Sequence, residues 1–535
     1  MSEKERFARP YRRSPDQDAP RPVRHPVVIV GGGPVGLSLA TDLGVRGVPC
    51  VLVDGKAGFG EGSRGLCYAK RTLEILDRIG VGERAVEKGV TWQLGKVFHR
   101  DQLLYEFNLL PESGHKMPAF INLQQYYLEQ HLYERCQELP GVDLRFQHKC
   151  VGVETAPDHA RLRLETPDGP YELEADYLVA CDGSRSAVRQ LMGLSFAGRV
   201  FEDRFLIADV RMLADFPAER WFWFDPPFNP GQSALLHKQP DDIWRIDLQL
   251  GWDADPVEER KPERVRPRLE AMLGKDRPFE FEWISVYTFQ CRRLESFLHG
   301  PVIFAGDAAH LVSPFGARGF NSGVQDTDNL AWKLAAVLGG QAPRALLHTY
   351  GLEREAAADE NILNSTRSTD FITPKSRASR AICDAVLSLA AEAPFARSLV
   401  NSGRLSLPTV YDTPLSTPDT EPFGGTTRLG GPLPDVPLRR PDGSPVWLLN
   451  LLGPRFTLLY HGEELPGALP GTTQLLRIGR DVLDGDGLFQ RRFDARPGSA
   501  WLVRPDQHLC ARFRHVETQT LKAAVERALG WELPR

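Results

Sequence analysis

The sequence predicts an α/β fold with a parallel sheet, an inserted mixed-to-antiparallel sheet and a small C-terminal α/β unit. Four short apolar runs, each followed within two residues by a glycine or an acid, are typical of parallel strands buried on both faces; they are residues 25–30, 50–53, 177–180 and 302–305. Strand-like segments recur between residues 201 and 289, and only residues 262–273 have helical spacing. In residues 439–535, apolar runs alternate with turns and end in an amphipathic helix.

Composition indicates an ordinary globular protein and excludes several classes of partner. Of 535 residues, 42% are hydrophobic and 25% charged, and the formal net charge is -5, so neither nucleic acid nor a membrane is expected as a partner. No apolar run approaches the ~20 residues that a membrane span needs. Residues 1–23 lack an apolar signal core and are predicted to be a mobile tail. Eight cysteines without a CxxC pair indicate free thiols in a reducing cytoplasm, and no metal site is predicted.

A βαβ unit near the start of the chain carries a dinucleotide-binding pattern. The first apolar run leads into Gly-x-Gly-x-x-Gly, an apolar-periodic helix follows, and the second run ends at an acid 18 positions after the third glycine. In this pattern the helix N-terminus holds a pyrophosphate and the acid binds a ribose. The residues predicted to contact the ligand here are Gly31, Gly33, Pro34, Val35, Gly36 and Asp54.

Two later turns repeat the arrangement of a buried strand that ends at an acid. Asp182-Gly183 follows the third apolar run, and Gly306-Asp307 follows the fourth. A glycine-rich loop then leads into a long helix that opens near Gly319. Backbone N–H groups at such a helix start can face an anionic or electron-rich group. The turns are therefore predicted to complete one nucleotide site.

In this order and spacing, the three motifs resemble the class A flavoprotein aromatic hydroxylases, the single-component FAD monooxygenases typified by para-hydroxybenzoate hydroxylase. The resemblance covers residues 24–400. It implies FAD as cofactor, NADH or NADPH as co-substrate, and hydroxylation of a small phenolic ring with O2 through a flavin C4a-hydroperoxide. The C-terminal unit is similar to the thioredoxin-like domain of phenol hydroxylase and 3-(3-hydroxyphenyl)propionate hydroxylases. Because it lacks CxxC, it is expected to serve packing or formation of a homodimer.

The resemblance also implies roles for individual residues. The glycines and Asp54 would hold the pyrophosphate and adenosine ribose, and Asp307 the ribityl chain; Asp182 and Gly183 would serve FAD and the nicotinamide. Further FAD contacts are expected from Arg64, Gln125, Gly306, Pro314, Gly319, Phe320 and Asn321. The family often has Gly-Gly-Gln-Gly where this chain has Gly-Ala-Arg-Gly. Arg318 is therefore expected either beside the flavin or pointing to solvent.

The substrate residues are predicted from strand alternation in residues 233–250. His237 and Gln239 share one face of the first strand, and Arg245 and Asp247 share one face of the second. A hairpin turn at residues 240–242 brings the two sets together. The hypothesis is that Arg245 orders the flavin edge while the other three contact a hydroxyl or carboxylate of the substrate. A solvated outer face is the alternative.

Two further residues complete the candidate site. His237, Arg245 and Pro314 are the candidate catalytic residues, the last because its loop would lie against the flavin. Trp223, from the aromatic stripe at residues 221–224, is a candidate substrate contact, although such stripes more often belong to a core.

These assignments give a division of the chain into domains. Residues 24–190 and 288–400 form the Rossmann-like FAD-binding domain, and residues 191–287, with strands from about 92–110, form the substrate-binding sheet domain. Residues 401–438, rich in Pro, Gly and Thr, are predicted to be a linker to the C-terminal unit at 439–535.

Three alternatives to a catabolic hydroxylase remain. One is a tailoring hydroxylase of a larger polycyclic aromatic product, and another is a non-enzymatic flavin-binding scaffold. The third, a flavin-dependent halogenase, is disfavoured because Trp221-Phe222-Trp223 is not followed by the Ile-Pro of the halogenase WxWxIP motif.

Overall fold

The computed structural model describes residues 7–59, 65–400, 405–465, 467–471 and 473–534. They form an α/β protein with three main sheets. The N-terminal sheet has six strands in the order Leu298–His299, Val302–Phe304, Gly169–Ala180, Val23–Val30, Cys50–Asp54 and Val142–Phe146. All neighbouring pairs are parallel except the first. Two antiparallel strands, Ala160–Thr166 and Lys149–Thr155, extend from Gly169–Ala180.

Helices cover this sheet because its strands are apolar on both faces. They are Pro34–Val45, Lys70–Arg78, Gly82–Lys88, Gln125–Gln137, Ala187–Leu191, Gly319–Leu338 and His348–Ile372. Two later helices, Arg377–Glu392 and Pro394–Val400, pack instead against side chains of the second, central sheet. Strands and helices share one apolar core that contains Val28, Leu52, Leu178 and Ile303, each completely buried. The core holds the carboxyl ends of the parallel strands, and therefore their turns, in fixed positions.

A second, central sheet of eight strands carries the candidate substrate residues. Its order is His310–Leu311, Glu280–Arg293, Ala197–Arg211, Ile243–Leu250, Ser233–Lys238, Arg220–Phe224, Leu94–His99 and Gln102–Asn108. Only one neighbouring pair, Arg220–Phe224 with Leu94–His99, is parallel. Helices Pro256–Glu259 and Pro262–Leu273 accompany this sheet, and the second packs apolar side chains against one of its faces. The other face is turned toward the rest of the protein.

A small three-stranded sheet corrects one expectation. The sequence of residues 120–139 predicts one amphipathic helix, entered through Asn122 and Gln125. The structure instead has the strand Phe120–Asn122 followed by the helix Gln125–Gln137. The strand pairs with Cys67–Ala69 and Val90–Trp92. All three residues of this strand are buried. Pairing with distant strands therefore determines their conformation, although their local periodicity is helical.

The C-terminal unit has a four-stranded sheet in the order Thr473–Ile478, Phe456–His461, Ala500–Val503 and Leu509–Phe513. The first pair is parallel and the other two are antiparallel. A two-stranded ribbon, Pro437–Arg439 with Pro445–Trp447, and the helices Leu488–Phe493 and Thr518–Ala528 complete the unit. Trp332 of the long helix Gly319–Leu338 joins the apolar cluster under this sheet, so the two units share a core.

Two segments predicted to be loose are packed. Within residues 7–22, Phe7 is 8% exposed, its ring lies 5.1 Å from that of Tyr126, and Arg9 N donates to Ala57 O at 2.6 Å. The predicted mobile tail is therefore wrong for these residues. In the predicted linker, Tyr411 and Leu415 are buried, and Tyr411 N donates to Gly430 O at 2.9 Å. Apolar side chains in otherwise polar segments explain both corrections.

Within the described ranges, none of the helices combines the length and the apolar composition of a bilayer crossing.

Candidate flavin site and the buried polar face of the central sheet

The glycines of the first turn are required by close backbone approach. Gly31 has φ +116°, and a Cβ atom there would lie 2.4 Å from the carbonyl oxygen of Cys181. At Gly36 a Cβ would lie 2.0 Å from the carbonyl oxygen of Gly31. At Gly33, the N-cap of helix Pro34–Val45, a Cβ would have no described atom within 4 Å. The helix N-terminus is therefore open to a ligand, and its N–H groups suit a pyrophosphate.

Asp54 is held at the edge of this turn by two backbone donors. Its Oδ2 accepts from Gly32 N at 2.7 Å, and its Oδ1 accepts from Lys56 N at 2.8 Å. A carboxylate has about four acceptor positions, so the two oxygens keep capacity for the hydroxyls of a ribose. The residues of the first turn thus fit the adenosine and pyrophosphate parts of FAD.

The second turn follows the strand Gly169–Ala180, which lies beside the first strand. Cys181 N donates to Val30 O at 2.8 Å, so Asp182 lies at the same sheet edge as Gly31. Its Oδ2 accepts from Val188 N at 3.1 Å, while its buried Oδ1 has no hydrogen-bond partner among the described residues. Burial raises the pKa of Asp182. A buried carboxylate oxygen without a partner calls for a ligand or water at this position.

The third turn, Gly306-Asp307, is held in place by the buried side chain of Asp326. Gly306 N donates to Asp326 Oδ2 at 2.9 Å, and His310 Nε2 lies 2.7 Å from the same oxygen. Arg354 Nε donates to Asp326 Oδ1 at 2.6 Å. Burial acts to raise the pKa of Asp326, but His310 and Arg354 outweigh it and hold the pKa below its ordinary value. Asp307 is exposed between buried neighbours, as a residue that contacts a ligand in a groove should be.

The loop after this turn is shaped by Arg318. Gly316 has φ +101°, and a Cβ there would lie 1.8 Å from Nη1 of Arg318. Arg318 is 2% exposed and donates from Nη1 to Phe315 O at 2.9 Å. It folds back over Gly316, which excludes the placement toward solvent. Pro314, on the same loop, is exposed.

The helix Gly319–Leu338 begins at this loop, as predicted, and its first turn is anchored to the three-stranded sheet. Asn321 Oδ1 accepts from Ala69 N, and its Nδ2 donates to Cys67 O, both at 2.9 Å. The Phe320 ring lies 5.1 Å from the Tyr68 ring. Gly319 and these side chains fix the direction in which the first N–H groups of the helix point.

Three further predicted FAD contacts have different surroundings. Gln125 Oε1 accepts from Gly65 N at 2.9 Å. Arg64 lies outside the described residues. The Val35 side chain packs against Gly306 and Gly323, since a Cβ at Gly323 would lie 2.8 Å from Val35 Cγ2. Its side chain therefore serves helix packing. Gly183 has φ +80° with open space at its Cβ position.

On the central sheet, the hairpin predicted from alternation is present. Strands Ser233–Lys238 and Ile243–Leu250 place His237 opposite Arg245, and both turn residues, Asp241 and Asp242, have positive φ. A turn with two left-handed residues fits the twist of a hairpin. The His237 face is turned inward, so the alternative of a solvated outer face is wrong.

Asp209, on the neighbouring strand, holds two of the predicted residues. Arg245 donates to it from Nε at 2.8 Å and from Nη2 at 3.0 Å, and Gln239 Nε2 donates to the same carboxylate at 3.0 Å. Asp209 was not predicted, because its pairing with Arg245 depends on which strands are neighbours. The pair fixes the orientation of the Arg245 guanidinium.

Several polar atoms on this face have no hydrogen-bond partner within the described part of the chain. They are Nδ1 of His237, Oε1 of Gln239 and Oδ1 of Asp247. Burial, followed by the charges of Arg220 and Arg245, lowers the pKa of His237 well below its ordinary value, so its imidazole is neutral. Burial raises the pKa of Asp247 to about 6. Unpaired buried polar atoms are costly unless a ligand or water satisfies them.

Arg220 completes this face and was missed by sequence reasoning. Its side chain is 7% exposed, and its Nη1 lies 3.4 Å from Nε2 of His237. We call the six residues of this region the buried polar face: Asp209, Arg220, His237, Gln239, Arg245 and Asp247. Its aromatic border on one side is Trp92, whose ring lies 6.3 Å from that of His237. The sequence contained one signal for Arg220: it alternates with the buried Phe222 and Phe224, which places it on the same face of the strand.

Trp223 requires a correction as a substrate contact. It pairs with Ala234, whereas Phe222 pairs with Leu235, so Trp223 lies on the opposite face of the sheet from His237. There it stacks on Phe98 with ring centroids 5.1 Å apart. Strand alternation, applied to the aromatic stripe, separates it from the polar residues.

The described residues contain no group of three or more His, Cys, Asp or Glu side chains that could hold a metal ion.

The comparisons with known proteins agree with this site. Residues 24–365 match the family model of the FAD binding domain. The chain is 30% identical to 12-dehydrotetracycline 5-monooxygenase/anhydrotetracycline 6-monooxygenase of Streptomyces rimosus subsp. rimosus, over 91% of this chain and 95% of that protein. It is also 30% identical to a 3-(3-hydroxy-phenyl)propionate/3-hydroxycinnamic acid hydroxylase of Mycobacterium sp. (strain KMS), over 90% and 87%.

A solved structure shows the same fold over nearly the whole chain. The flavin-dependent monooxygenase PieE, in complex with FAD and substrate, superposes with a TM-score of 0.81 at 24% identity, covering 95% of this chain and all of that one. The chain therefore belongs to the FAD-binding-domain family of flavin monooxygenases, and within it to the class A flavoprotein aromatic hydroxylases.

Proposed function

We propose that the enzyme hydroxylates a phenolic ring with O2 and NADH or NADPH as a single component. The observation that carries this proposal is the pairing of two features in one molecule. A nucleotide cradle lies at the carboxyl ends of the parallel strands, and the buried polar face has unsatisfied atoms suited to a polar ring substituent. Turns that follow a sheet's strands are the usual place for a nucleotide in α/β proteins.

The FAD contacts follow from the three turns and the helix start. Asp54 would hold the adenosine ribose, Asp182 and Gly183 would flank the cofactor, and Asp307 would bind the ribityl hydroxyls. The remaining proposed contacts are Gly31, Gly33, Pro34, Val35, Gly36, Arg64, Gln125, Gly306, Pro314, Gly319, Phe320 and Asn321. Bound FAD supplies the activation of O2 and the transfer of one oxygen atom to the ring.

Side chains of the buried polar face orient the substrate and move its proton. Asp247, with a pKa of about 6, is ionised at neutral pH and is suited to accept the proton of a phenol as a general base. Neutral His237 donates from Nδ1, and Gln239 accepts through Oε1. Arg245, held by Asp209, orders the flavin edge together with the loop at Pro314.

The experiment is an assay of NADH and NADPH oxidation by the FAD-loaded enzyme with a panel of phenols, followed by identification of the product. Substrate-stimulated oxidation with an added hydroxyl group on the ring is the expected result. Oxidation that no ring compound stimulates would contradict the proposal and favour a non-enzymatic flavin-binding scaffold.

A larger polycyclic substrate is the second candidate. Its support is an apolar wall beside the buried polar face, built by Phe205, Phe222, Phe224, Phe289 and Phe315. A relative of equal similarity acts on tetracyclines by its name, whereas another acts on a single ring. In the same assay, a polycyclic phenol that lowers KM at least about tenfold relative to a simple phenol would favour the tailoring role.

We further propose the division into an FAD-binding domain, a sheet domain for the substrate and a thioredoxin-like C-terminal domain without a redox role. The strand order of the C-terminal sheet supports the last assignment. A reducing cytoplasm is proposed as the location, supported by eight free cysteines. A homodimer is proposed on the family resemblance alone. Light scattering of the purified enzyme tests the dimer: a single species of monomer mass would overturn it.

A further inference from the structure

Other deeply buried arginines of this protein donate to carboxylates or, as Arg189 does, to backbone carbonyls; Arg220 has neither kind of acceptor among the described residues. Arg354 is 1% exposed and lies 2.6 Å from Asp326, and Arg504 is equally buried and lies 2.6 Å from Glu353. Arg220 is 7% exposed, yet no carboxylate of the described residues lies within 4.0 Å of its guanidinium nitrogens. Buried cations are normally paired. Among the described residues, the guanidinium of Arg220 is therefore a buried cation without an ion-pair partner.

The hydrogen bond between Arg220 and His237 determines which nitrogen of the His237 imidazole carries the proton. Arg220 is always a donor, so its Nη1 donates to His237 Nε2 at 3.4 Å. The imidazole is neutral, because burial and two nearby arginines lower its pKa. Its proton is then on Nδ1, which is buried and has no acceptor among the residues described. Arg220 and His237 thus present adjacent donors on the same sheet face.

The acceptors of the face lie on the side of Asp209. Gln239 donates to Asp209 through Nε2, which leaves its Oε1 as an acceptor, and Asp247 presents Oδ1. Arg245 is neutralised by Asp209 at 2.8 Å. The charge of Asp247 acts on Arg220 through space, but no carboxylate oxygen of the described residues lies within 4.0 Å of the Arg220 guanidinium nitrogens. Arginine binds carboxylates and similar oxygen pairs with two parallel N–H groups.

We propose that Arg220 and His237 form an anion subsite, so that the ring substrate carries a second, ionised oxygen group besides the phenol that faces Asp247. This inference rests on the proposed hydroxylase function and deepens it by naming a substrate class. The anion is a carboxylate or an ionised enol on the ring system. A neutral phenol of the same size leaves Arg220 unpaired and binds more weakly.

Binding to the oxidised FAD-loaded enzyme tests the subsite without any turnover. The readout is perturbation of the flavin absorbance during titration with two matched pairs of probes. One pair is 3-(3-hydroxyphenyl)propionate and its amide; the other is 4-hydroxycoumarin, an ionised enol, and 4-methoxycoumarin. Binding of the anionic member of at least one pair is expected to be roughly 10- to 100-fold tighter, and the pair that shows it identifies the kind of anion.

Three variants make the assignment specific. Arg220→Gln is expected to lose the preference for the anionic member, and Arg220→Lys to retain part of it, because the lysine keeps the charge but not the fork. The matched control is Arg211→Gln, which removes an exposed arginine at the end of strand Ala197–Arg211 of the same sheet, 3.1 Å from Glu282; it should keep the full preference. FAD content and thermal unfolding confirm that each variant is folded.

Each outcome bears on one proposal. No preference for either anion in the unaltered enzyme, or an unchanged preference in folded Arg220→Gln, overturns the anion subsite. If Arg220→Gln does not fold, a reduced preference for the anionic member in Arg220→Lys supports the subsite, and full retention overturns it. The hydroxylase proposal is judged separately, since it fails only if none of the ring compounds stimulates oxidation of NADH or NADPH.

Discussion

Two groups of buried charges in this protein are built in opposite ways. The junction network, formed by Lys333, Glu353, Arg504 and Asp506, joins the long helices to the C-terminal unit. Lys333 Nζ and Arg504 Nη1 donate to Glu353 at 2.8 and 2.6 Å, and Arg504 Nη2 lies 2.5 Å from Asp506 Oδ2. Every charge in this network has a partner. Within the described residues, the buried polar face leaves three buried polar atoms without a hydrogen-bond partner, and Arg220 there contacts His237 rather than a carboxylate.

The difference separates charges that hold the fold together from charges that are available for a ligand. In the junction network the cost of burial is offset inside the chain by several hydrogen bonds to each charged group. On the buried polar face, among the described residues, only Asp209 and Arg245 form an ion pair that offsets the cost of their burial. Arg220, His237 and Asp247 pay the desolvation cost without full compensation, which is expected where function requires it.

The strongest test of this comparison breaks the junction network. Glu353→Gln leaves Arg504 and Lys333 without their shared carboxylate, so the free energy of unfolding should fall by about 3–5 kcal/mol. Urea denaturation of the FAD-loaded enzyme measures this. Glu526→Gln, which removes an exposed ion pair with Lys522 at 3.8 Å, is the control and should change stability by less than about 1 kcal/mol. Equal effects of the two substitutions would refute the distinction.

A substitution on the buried polar face should lower activity strongly without lowering stability. Asp247→Asn keeps the shape but removes the base, so turnover of a phenolic substrate should fall roughly 10²- to 10⁴-fold. Stability should not decrease, because the charged form of Asp247 is disfavoured by burial. Steady-state kinetics and thermal unfolding of the same preparation check both statements. A stability loss as large as that of Glu353→Gln would contradict them.

The pH dependence should separate the same two effects. The pKa of Asp247 is raised to about 6 in the folded protein and is about 3.9 when unfolded. Activity should fall about tenfold per pH unit below about 6, because the base becomes protonated. Stability should change in the opposite direction: this group's contribution falls by up to about 3 kcal/mol as pH rises from about 4 to about 6. Asp247→Asn should remove both effects; a profile that the substitution leaves unchanged assigns the titration to another group.

The smallest effect is expected for Trp223→Phe. The residue lies on the face of the central sheet opposite to His237 and packs on Phe98. Its replacement should change KM for the ring substrate less than about twofold while it lowers stability by about 1 kcal/mol. A KM change above tenfold would return Trp223 to the substrate site.

Sequence reasoning found the parts of the site that local pattern determines. The three turns after buried strands, the helix start at Gly319 and the inward face of His237 and Arg245 follow from periods of two and 3.6 residues. Asp209 and Arg220 were missed because they reach His237 and Arg245 through strand pairing, which a single sequence does not reveal. The strand Phe120–Asn122 and the packed segment 7–22 were missed for the same reason: both depend on partners far away in the chain.

The distribution of the flavin turns along the chain has a consequence for synthesis on the ribosome. The proposed site combines Gly31, Asp182 and Asp307. The turn that contains Asp307 is held by Asp326, which accepts from Arg354, and Arg354 Nη1 donates to Tyr411 OH at 2.9 Å. A nascent chain therefore lacks a complete site until more than 400 residues have emerged. FAD should therefore bind only after most of the chain has been synthesised. A truncated product that ends before Tyr411 should retain flavin weakly.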